Sequence, residues 1–372
     1  MNHPSPHLSS EQEIARFGSG KAVQRLEDQQ LLLGAGVYAN DVSLPNQSHL
    51  VFLRSPYPHA NITRLDTQAA KDMPGVLAVY SGQDLLAAGV KPLARPMNFK
   101  RADGSPLSST TRHILATQTV RFVGEPIVAV VATSEEQARN AIEVIEIEFD
   151  ALPSVTTLSD ALAPTAPLLT EAPDNRVAET RYGDAQATQA AFDQAAHVVH
   201  LNIVNQRVAA LSIEPRSVLA YPDQGRLHIR MSSQMPTGVR NTVSDLLSID
   251  KEKIRVIVGD VGGGFGMKTG AYAEDVVTAY CAHRLQRPVK WIAERSEEFL
   301  SATHGRDIDT CAQMALSEDG KVLALRVHTV ANVGAYALGS GVAIQVMIGP
   351  WVQTSIYDIQ TIDFQYTAVM TN

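Results

Sequence analysis

Asp260-Val261-Gly262-Gly263-Gly264-Phe265-Gly266-Met267-Lys268 is the stretch on which the reading of this chain turns. It follows Ile254-Arg255-Val256-Ile257-Val258, an apolar, β-branched run of strand length, and precedes Ala273, Val276, Val277, Tyr280 and Cys281, which recur at helical spacing. The loop therefore joins a strand to a helix. Four glycines around Phe265 permit backbone angles closed to other residues, bring the main chain close to a ligand and leave amide N–H groups as donors. A helix starting near Thr269 or Ala271 would add its N-terminal dipole to an anion site there. The plainer alternative is a tight turn with no ligand.

Two common nucleotide fingerprints fail on this loop. A phosphate-binding P-loop needs glycine directly before lysine and then Ser or Thr, but Met267 separates Gly266 from Lys268. The dinucleotide pattern GxGxxG begun at Gly262 would need glycine where Met267 stands.

Outward from the loop, the 372 residues are 45% hydrophobic and 19% charged, enough to bury substantial cores in more than one domain. A net charge of -8 with dispersed Lys and Arg gives no continuous cationic surface, which argues against nucleic-acid and membrane partners. No signal-peptide pattern opens the chain and no stretch has the apolar length of a membrane span, so a cytoplasmic location is expected. Cys281 and Cys311, the two cysteines, leave no thiols for a disulfide scaffold, a CxxC zinc site or a cysteine-ligated iron–sulfur cluster within the chain. Electrons from any redox chemistry would leave through a partner.

The organisation reads as α+β. Residues 1–30 are polar and without period, a leading arm. Leu50-Val51-Phe52-Leu53, Gly75 to Tyr80 and Pro126 to Ala132 read as strands, Thr133-Ser134-Glu135-Glu136 caps a helix through Ala138, Ala141 and Ile142, and Ile145, Ile147 and Phe149 alternate with Glu146 and Glu148 as a half-buried strand. These belong to a first domain at 31–155. Residues 156–180, rich in proline and alanine, read as a connector. The second domain, 181–372, carries a helix from Ala185 to Ala196, strands near His197 to Val204, Ser217 to Tyr221 and Leu227 to Met231, a helix with Val239, Val243, Leu246 and Leu247 on one face, the loop and its helix, the strand Pro288 to Ile292, and a hairpin turning at Ser317 to Lys321.

The loop string resembles the loop that approaches molybdenum and its pterin in the large subunits of the xanthine dehydrogenase, aldehyde oxidase and carbon monoxide dehydrogenase family. Ser232-Ser233-Gln234 matches the family segment whose glutamine reaches an oxygen on the metal, at the family's distance from Phe265. Further matches run from Arg54-Ser55-Pro56-Tyr57-Pro58-His59-Ala60 through Val123-Gly124-Glu125-Pro126 and Ile213-Glu214-Pro215-Arg216 to Glu294-Arg295-Ser296-Glu297, His304-Gly305-Arg306 and Gly334-Ala335-Tyr336.

The resemblance implies an a/b hammerhead domain followed by the first molybdopterin-binding domain. It implies molybdenum–molybdopterin, in the cytosine dinucleotide form, with Gln234, Gly263, Gly264, Phe265 and Gly266 against the cofactor. Gln234 and the Phe265 amide would meet ligands of molybdenum without a direct side-chain bond to the metal. The activity implied is hydroxylation of an aldehyde or N-heterocycle with oxygen from water, electrons passing to 2Fe-2S clusters on an iron–sulfur subunit and to FAD on another subunit, the whole a dimer of heterotrimers. The family's general-base glutamate and second molybdopterin domain lie beyond Asn372, so a truncated chain, inactive alone and with no catalytic residue of its own, is expected. Thr269 stands where purine-oxidising members carry a substrate-binding glutamate, which argues against xanthine.

Beside these stand a non-redox hold on a phosphate-bearing ligand and an inert fragment. Cys281 and Cys311 read as packing residues. His304 and Arg306 read as local structure, Glu125 as turn chemistry, and Glu214 with Arg216 either as an ion pair near the pocket or as the fixing of a strand end.

Overall fold

The computed structural model describes residues 24–93, 98–170, 172–337 and 340–372. Residues 1–23 of the expected arm lie outside them. Two compact units are distinguished, one ending at Val37 and the other running from Tyr38 to Asn372. In the first, Asp28–Leu32 forms a short helix.

The second unit is built on a seven-stranded sheet in the order Ile254–Ile257, Arg226–Met231, Ser217–Asp223, Val289–Ile292, Ser48–Arg54, Pro126–Ala132, Val76–Ser81. Strands from both ends of the sequence share it. They meet where Ser48 pairs with Val289 and His49 with Lys290 in parallel register. Alternation then sends side chains to two cores. Leu50, Phe52, Ala129 and Val131 face the helices Pro236–Leu247 and Ala273–Leu285, while Val128, Val130 and Ala132 join the core under helix Glu135–Glu143. All seven positions of Pro126–Ala132 are buried as a result.

The expected cap of helix Glu135–Glu143 is present, Ser134 Oγ accepting from Gln137 N at 3.2 Å. The half-buried strand becomes Glu146–Ala151 in a three-stranded sheet with Ala60–Asp66 and Thr119–Val120. A five-stranded sheet runs Arg176–Gly183, Ile362–Val369, Val322–Asn332, Ile308–Leu316, His197–Asn205, with the hairpin at Ser317 to Lys321 between its third and fourth members. Helix Ala185–Asp193 packs on Val322–Asn332 of this sheet.

Residues 156–180 differ from the expected featureless connector. They contain the helix Leu158–Leu162 and open the strand Arg176–Gly183. Asn175, 2% exposed, orders the segment between them: its side chain accepts from Leu169 N at 3.0 Å and donates to Ala161 O and Pro167 O at 3.1 and 3.0 Å. These partners, and the pairing with Ile362–Val369, are not local, so no periodicity announces them. Among the described residues no helix is long and apolar enough to cross a membrane.

Candidate cofactor-binding site

The glycine loop leaves strand Ile254–Ile257 and crosses the C-terminal end of the neighbouring strand Arg226–Met231, which runs parallel to it. Beyond that end the chain turns at Ser232 to Met235 into helix Pro236–Leu247. A main-chain bond stitches the turn to the loop, Gln234 N donating to Lys268 O at 2.8 Å, and Met267 N closes the loop on itself by donating to Gly264 O at 2.8 Å. The Gln234 side chain then reaches over the loop. Its Oε1 accepts from Gly266 N at 3.0 Å and Lys268 N at 3.2 Å. Both partners are donors, so the amide oxygen faces the loop and the NH2 faces away, exposed and without an acceptor among the described residues.

A Cβ at Gly264 would lie 2.6 Å from Gln234 Oε1, so a side chain there would displace the Gln234 amide from the loop. Gly262 is required by a second contact, as a Cβ would lie 2.5 Å from Glu214 Cβ. Gly263 and Gly266 have φ of +104° and +87°, and Phe265 sits in the left-handed region at +51° with its ring 75% exposed. A non-glycine residue held at positive φ is strained, and such strain gathers where a loop is shaped for a ligand. The N–H groups of Gly263, Gly264 and Phe265 have no acceptor among the described residues. Beside Gly263, the Ser212 hydroxyl is buried with no partner among the described residues.

Under the loop, Glu214 and Lys268 are both buried. Glu214 Oε2 accepts from Gly262 N at 2.8 Å and from Lys268 Nζ at 3.1 Å, and Lys268 Nζ also donates to Glu214 O at 2.9 Å. Burial lowers the Lys268 pKa, with Glu214 acting against it. Of the two readings of Glu214 and Arg216, the ion pair between them does not form: Glu214 pairs with Lys268 and Arg216 with Glu274 and Glu298.

Arg216 instead donates through Nε to Glu298 at 2.6 Å and lies 3.3 Å from Glu274, its guanidinium 3.9 Å from the centre of the Tyr272 ring. Arg54 completes the cluster, bonding Glu274 at 2.7 Å and Glu297 at 2.6 Å. Burial opposes the charge on Glu274, yet Arg216 and Arg54 together hold its pKa at about 2. Burial pushes Asp275 up to about 7.

The helix after the loop begins at Ala273, later than Thr269 or Ala271, and its first turn is buried. Tyr272 N donates to Asp275 Oδ2 at 2.8 Å, so a residue of the helix itself meets the helix start. The dipole is not presented to the loop as the sequence suggested. Thr269 turns its hydroxyl back onto Gly266 O at 2.8 Å.

The structure thus brings Gln234, Gly264 and Gly266 into one network, with Gly263 and Phe265 on the exposed crest between. Glu125 is more than a turn residue. It is buried, with its pKa raised by burial, and accepts from Arg121 N at 2.6 Å and Tyr336 OH at 2.5 Å. His304 Nε2 lies 3.0 Å from Phe299 O, a local contact, and Arg306 is exposed with φ +69°. Cys281 is fully buried, and burial pushes its thiol up. Cys311 is half-buried on the five-stranded sheet, its Sγ 3.9 Å from His200 Nε2, and so is not a core residue. Sequence reasoning missed Lys268 as the partner of Glu214, and Glu274 and Glu298 altogether. Glu274 had one signal, a carboxylate in the first turn of a helix whose following residues Val276, Val277 and Ala279 are apolar.

A crest of N–H donors without acceptors among the described residues, and one outward amide, fits a group rich in oxo and phosphate oxygens. Residues 168–372 match the family described as molybdopterin cofactor-binding domain, and 33–153 match the aldehyde oxidase and xanthine dehydrogenase a/b hammerhead domain. The chain belongs to the molybdopterin-binding large-subunit family of xanthine dehydrogenase, aldehyde oxidase and carbon monoxide dehydrogenase.

Among its relatives, the nicotine 6-hydroxylase large subunit of Paenarthrobacter nicotinovorans is 34% identical over 99% of this chain and 45% of its own length. The carbon monoxide dehydrogenase large chain of Hydrogenophaga pseudoflava is 33% identical over 90% of this chain and 42% of its own. Quinoline 2-oxidoreductase from Pseudomonas putida 86 superposes with a TM-score of 0.87 at 32% identity, over 95% of this chain and 44% of that one. The chain spans less than half the length of each of these three.

Proposed function

We propose that this chain forms one wall of a molybdenum–molybdopterin site in an oxidoreductase that hydroxylates an N-heterocycle or an aldehyde with oxygen from water. The observation that carries the reading is the Gln234 amide, locked by Gly266 N and Lys268 N so that its NH2 points outward beside three loop N–H groups that have no acceptor among the described residues. When bound, the cofactor supplies the two-electron oxidation and the activation of water. The chain's part is to hold the Gln234 NH2 and the amides of Gly263, Gly264 and Phe265 toward oxygens of that group, in place before the reaction begins.

The relatives named for nicotine and quinoline, both N-heterocycles, support that substrate class over a purine, as does Thr269, whose hydroxyl is occupied by Gly266 O. The pterin is proposed in its cytosine dinucleotide form. The partners are an iron–sulfur subunit with 2Fe-2S clusters and an FAD subunit, arranged as a dimer of heterotrimers in the cytoplasm. Residues 31–155 and 181–372 are proposed as the hammerhead and first molybdopterin-binding domains.

The test is metal and pterin analysis of the complex purified with its partners, together with Gln234→Ala. The complex should contain molybdenum. The variant should keep its unfolding midpoint and lose about 10²- to 10³-fold in kcat, the scale of one removed donor. A complex without molybdenum that holds a phosphate compound would replace this reading with the non-redox one.

A further inference from the structure

We infer that Glu214 is a positioning residue that fixes both ends of the glycine loop through one carboxylate oxygen, with Lys268 neutralising the charge this places under the loop. The inference rests on the loop being a cofactor wall. Glu214 Oε2 holds Gly262 N at the loop's start and Lys268 Nζ at its end, at 2.8 and 3.1 Å, across 48 and 54 residues of sequence. The Glu214 main chain repeats both contacts: its N donates to Gly262 O at 3.2 Å and its carbonyl accepts from Lys268 Nζ at 2.9 Å.

A lysine is seldom buried, because its ammonium loses water and its long stem loses freedom. Lys268 is 2% exposed, although a lysine ending a turn could stay in solvent. What burial gains is electrostatic. A bare carboxylate beneath Gly263, Gly264 and Phe265 would oppose any anionic oxygen received by their N–H groups, and the field is poorly screened inside the protein. Pairing with Lys268 keeps the mechanical hold of Glu214 and removes its charge. Gln234 fixes the loop from the exposed side and Glu214 from the buried side, so the N–H groups of Gly263, Gly264 and Phe265 are displayed between fixed points.

The test uses the complete complex carrying wild-type chain, Glu214→Gln, Lys268→Met or both substitutions, read by hydrogen exchange, molybdenum content and the electron paramagnetic resonance signal of the half-reduced metal. Each single variant should speed exchange at 260–268 by about tenfold or more, the cost of a buried group left unpaired, while strands 217–223 and 289–292 keep wild-type protection. Molybdenum retention should be lowest in Lys268→Met and should recover in the double variant, because that variant carries no uncompensated carboxylate. The metal signal of the single variants should shift, since the donors around it have moved.

Unchanged exchange at 260–268, or a change spread evenly over the sheet, would overturn the positioning role. Equal molybdenum in Lys268→Met and the double variant would overturn the charge role. If the wild-type complex holds no molybdenum, the cofactor reading falls while the exchange pattern still decides whether Glu214 clamps the loop.

Discussion

The seven-stranded and five-stranded sheets use similar valine-rich and isoleucine-rich strands to opposite ends. Pro126–Ala132 is buried at every position, with helices over both faces of the sheet around it. His197–Asn205 is exposed at every position, Val199 at 52%, Leu201 at 56% and Ile203 at 44%. Composition separates them only in part, through His197, His200, Asn202 and Asn205, since Val199, Leu201 and Ile203 are as apolar as the buried strand; place in the sheet does the rest. An inner strand has neighbours on both sides, whereas His197–Asn205 pairs on one side only, with Ile308–Leu316. Stability should therefore concentrate in the seven-stranded sheet and in the charged cluster lying against it.

The largest effect expected from that contrast is at Arg216. Replacing it by alanine leaves Glu274 and Glu298 buried without their shared cation and should cost about 3–5 kcal/mol in urea unfolding of the complex, the usual consequence of breaking a buried pair. A loss below about 1 kcal/mol would place the cluster's weight elsewhere, in the packing of Trp291 and Tyr272.

A smaller, pH-dependent effect belongs to Asp275. Its pKa rises from 3.8 to about 7 in the fold, so the unfolded chain ionises first and unfolding releases a proton between these values. The contribution is present below 3.8 and is lost as pH rises toward 7. Glu274 runs the other way, from 4.5 down to about 2, and its contribution is lost only as pH falls through that range. Glu125 and Glu297, both raised by burial, titrate in the same sense as Asp275. Asp275→Asn keeps an acceptor for Tyr272 N, and should flatten the decline in unfolding free energy between pH 5 and about 7. An unchanged slope would assign that decline to the two glutamates.

The smallest effect is on the exposed strand. Leu201→Ser should change unfolding free energy by no more than about 0.5 kcal/mol. A loss of 2 kcal/mol, the size of a core substitution, would mean that something covers this strand in the complex.

Much of this was legible in the sequence because it is local. The Ser134 cap, the alternation at Ile145, Ile147 and Phe149, the helix bearing Val239, Val243 and Leu246, and the hairpin at Ser317 to Lys321 each depend on residues within one element or turn. The loop was legible as a ligand-approaching turn, and Gln234 as its companion through resemblance. The direction of the Gln234 amide was not legible, since it depends on which main-chain groups of a second strand's loop come within reach.

The sequence alone determined the locally patterned elements, the glycine loop and the family resemblance, but not the helix Leu158–Leu162 or the start of strand Arg176–Gly183. Tertiary structure decided which charges meet: Glu214 with Lys268, 54 residues on, and Arg54 with Glu274, 220 residues on. For Arg54 and Glu274 the reason is the join at which Ser48 pairs with Val289. Periodicity reports the face a side chain takes on its own strand or helix, but a buried charge is partnered by whatever sheet order brings beside it, and sheet order is not written in any local window.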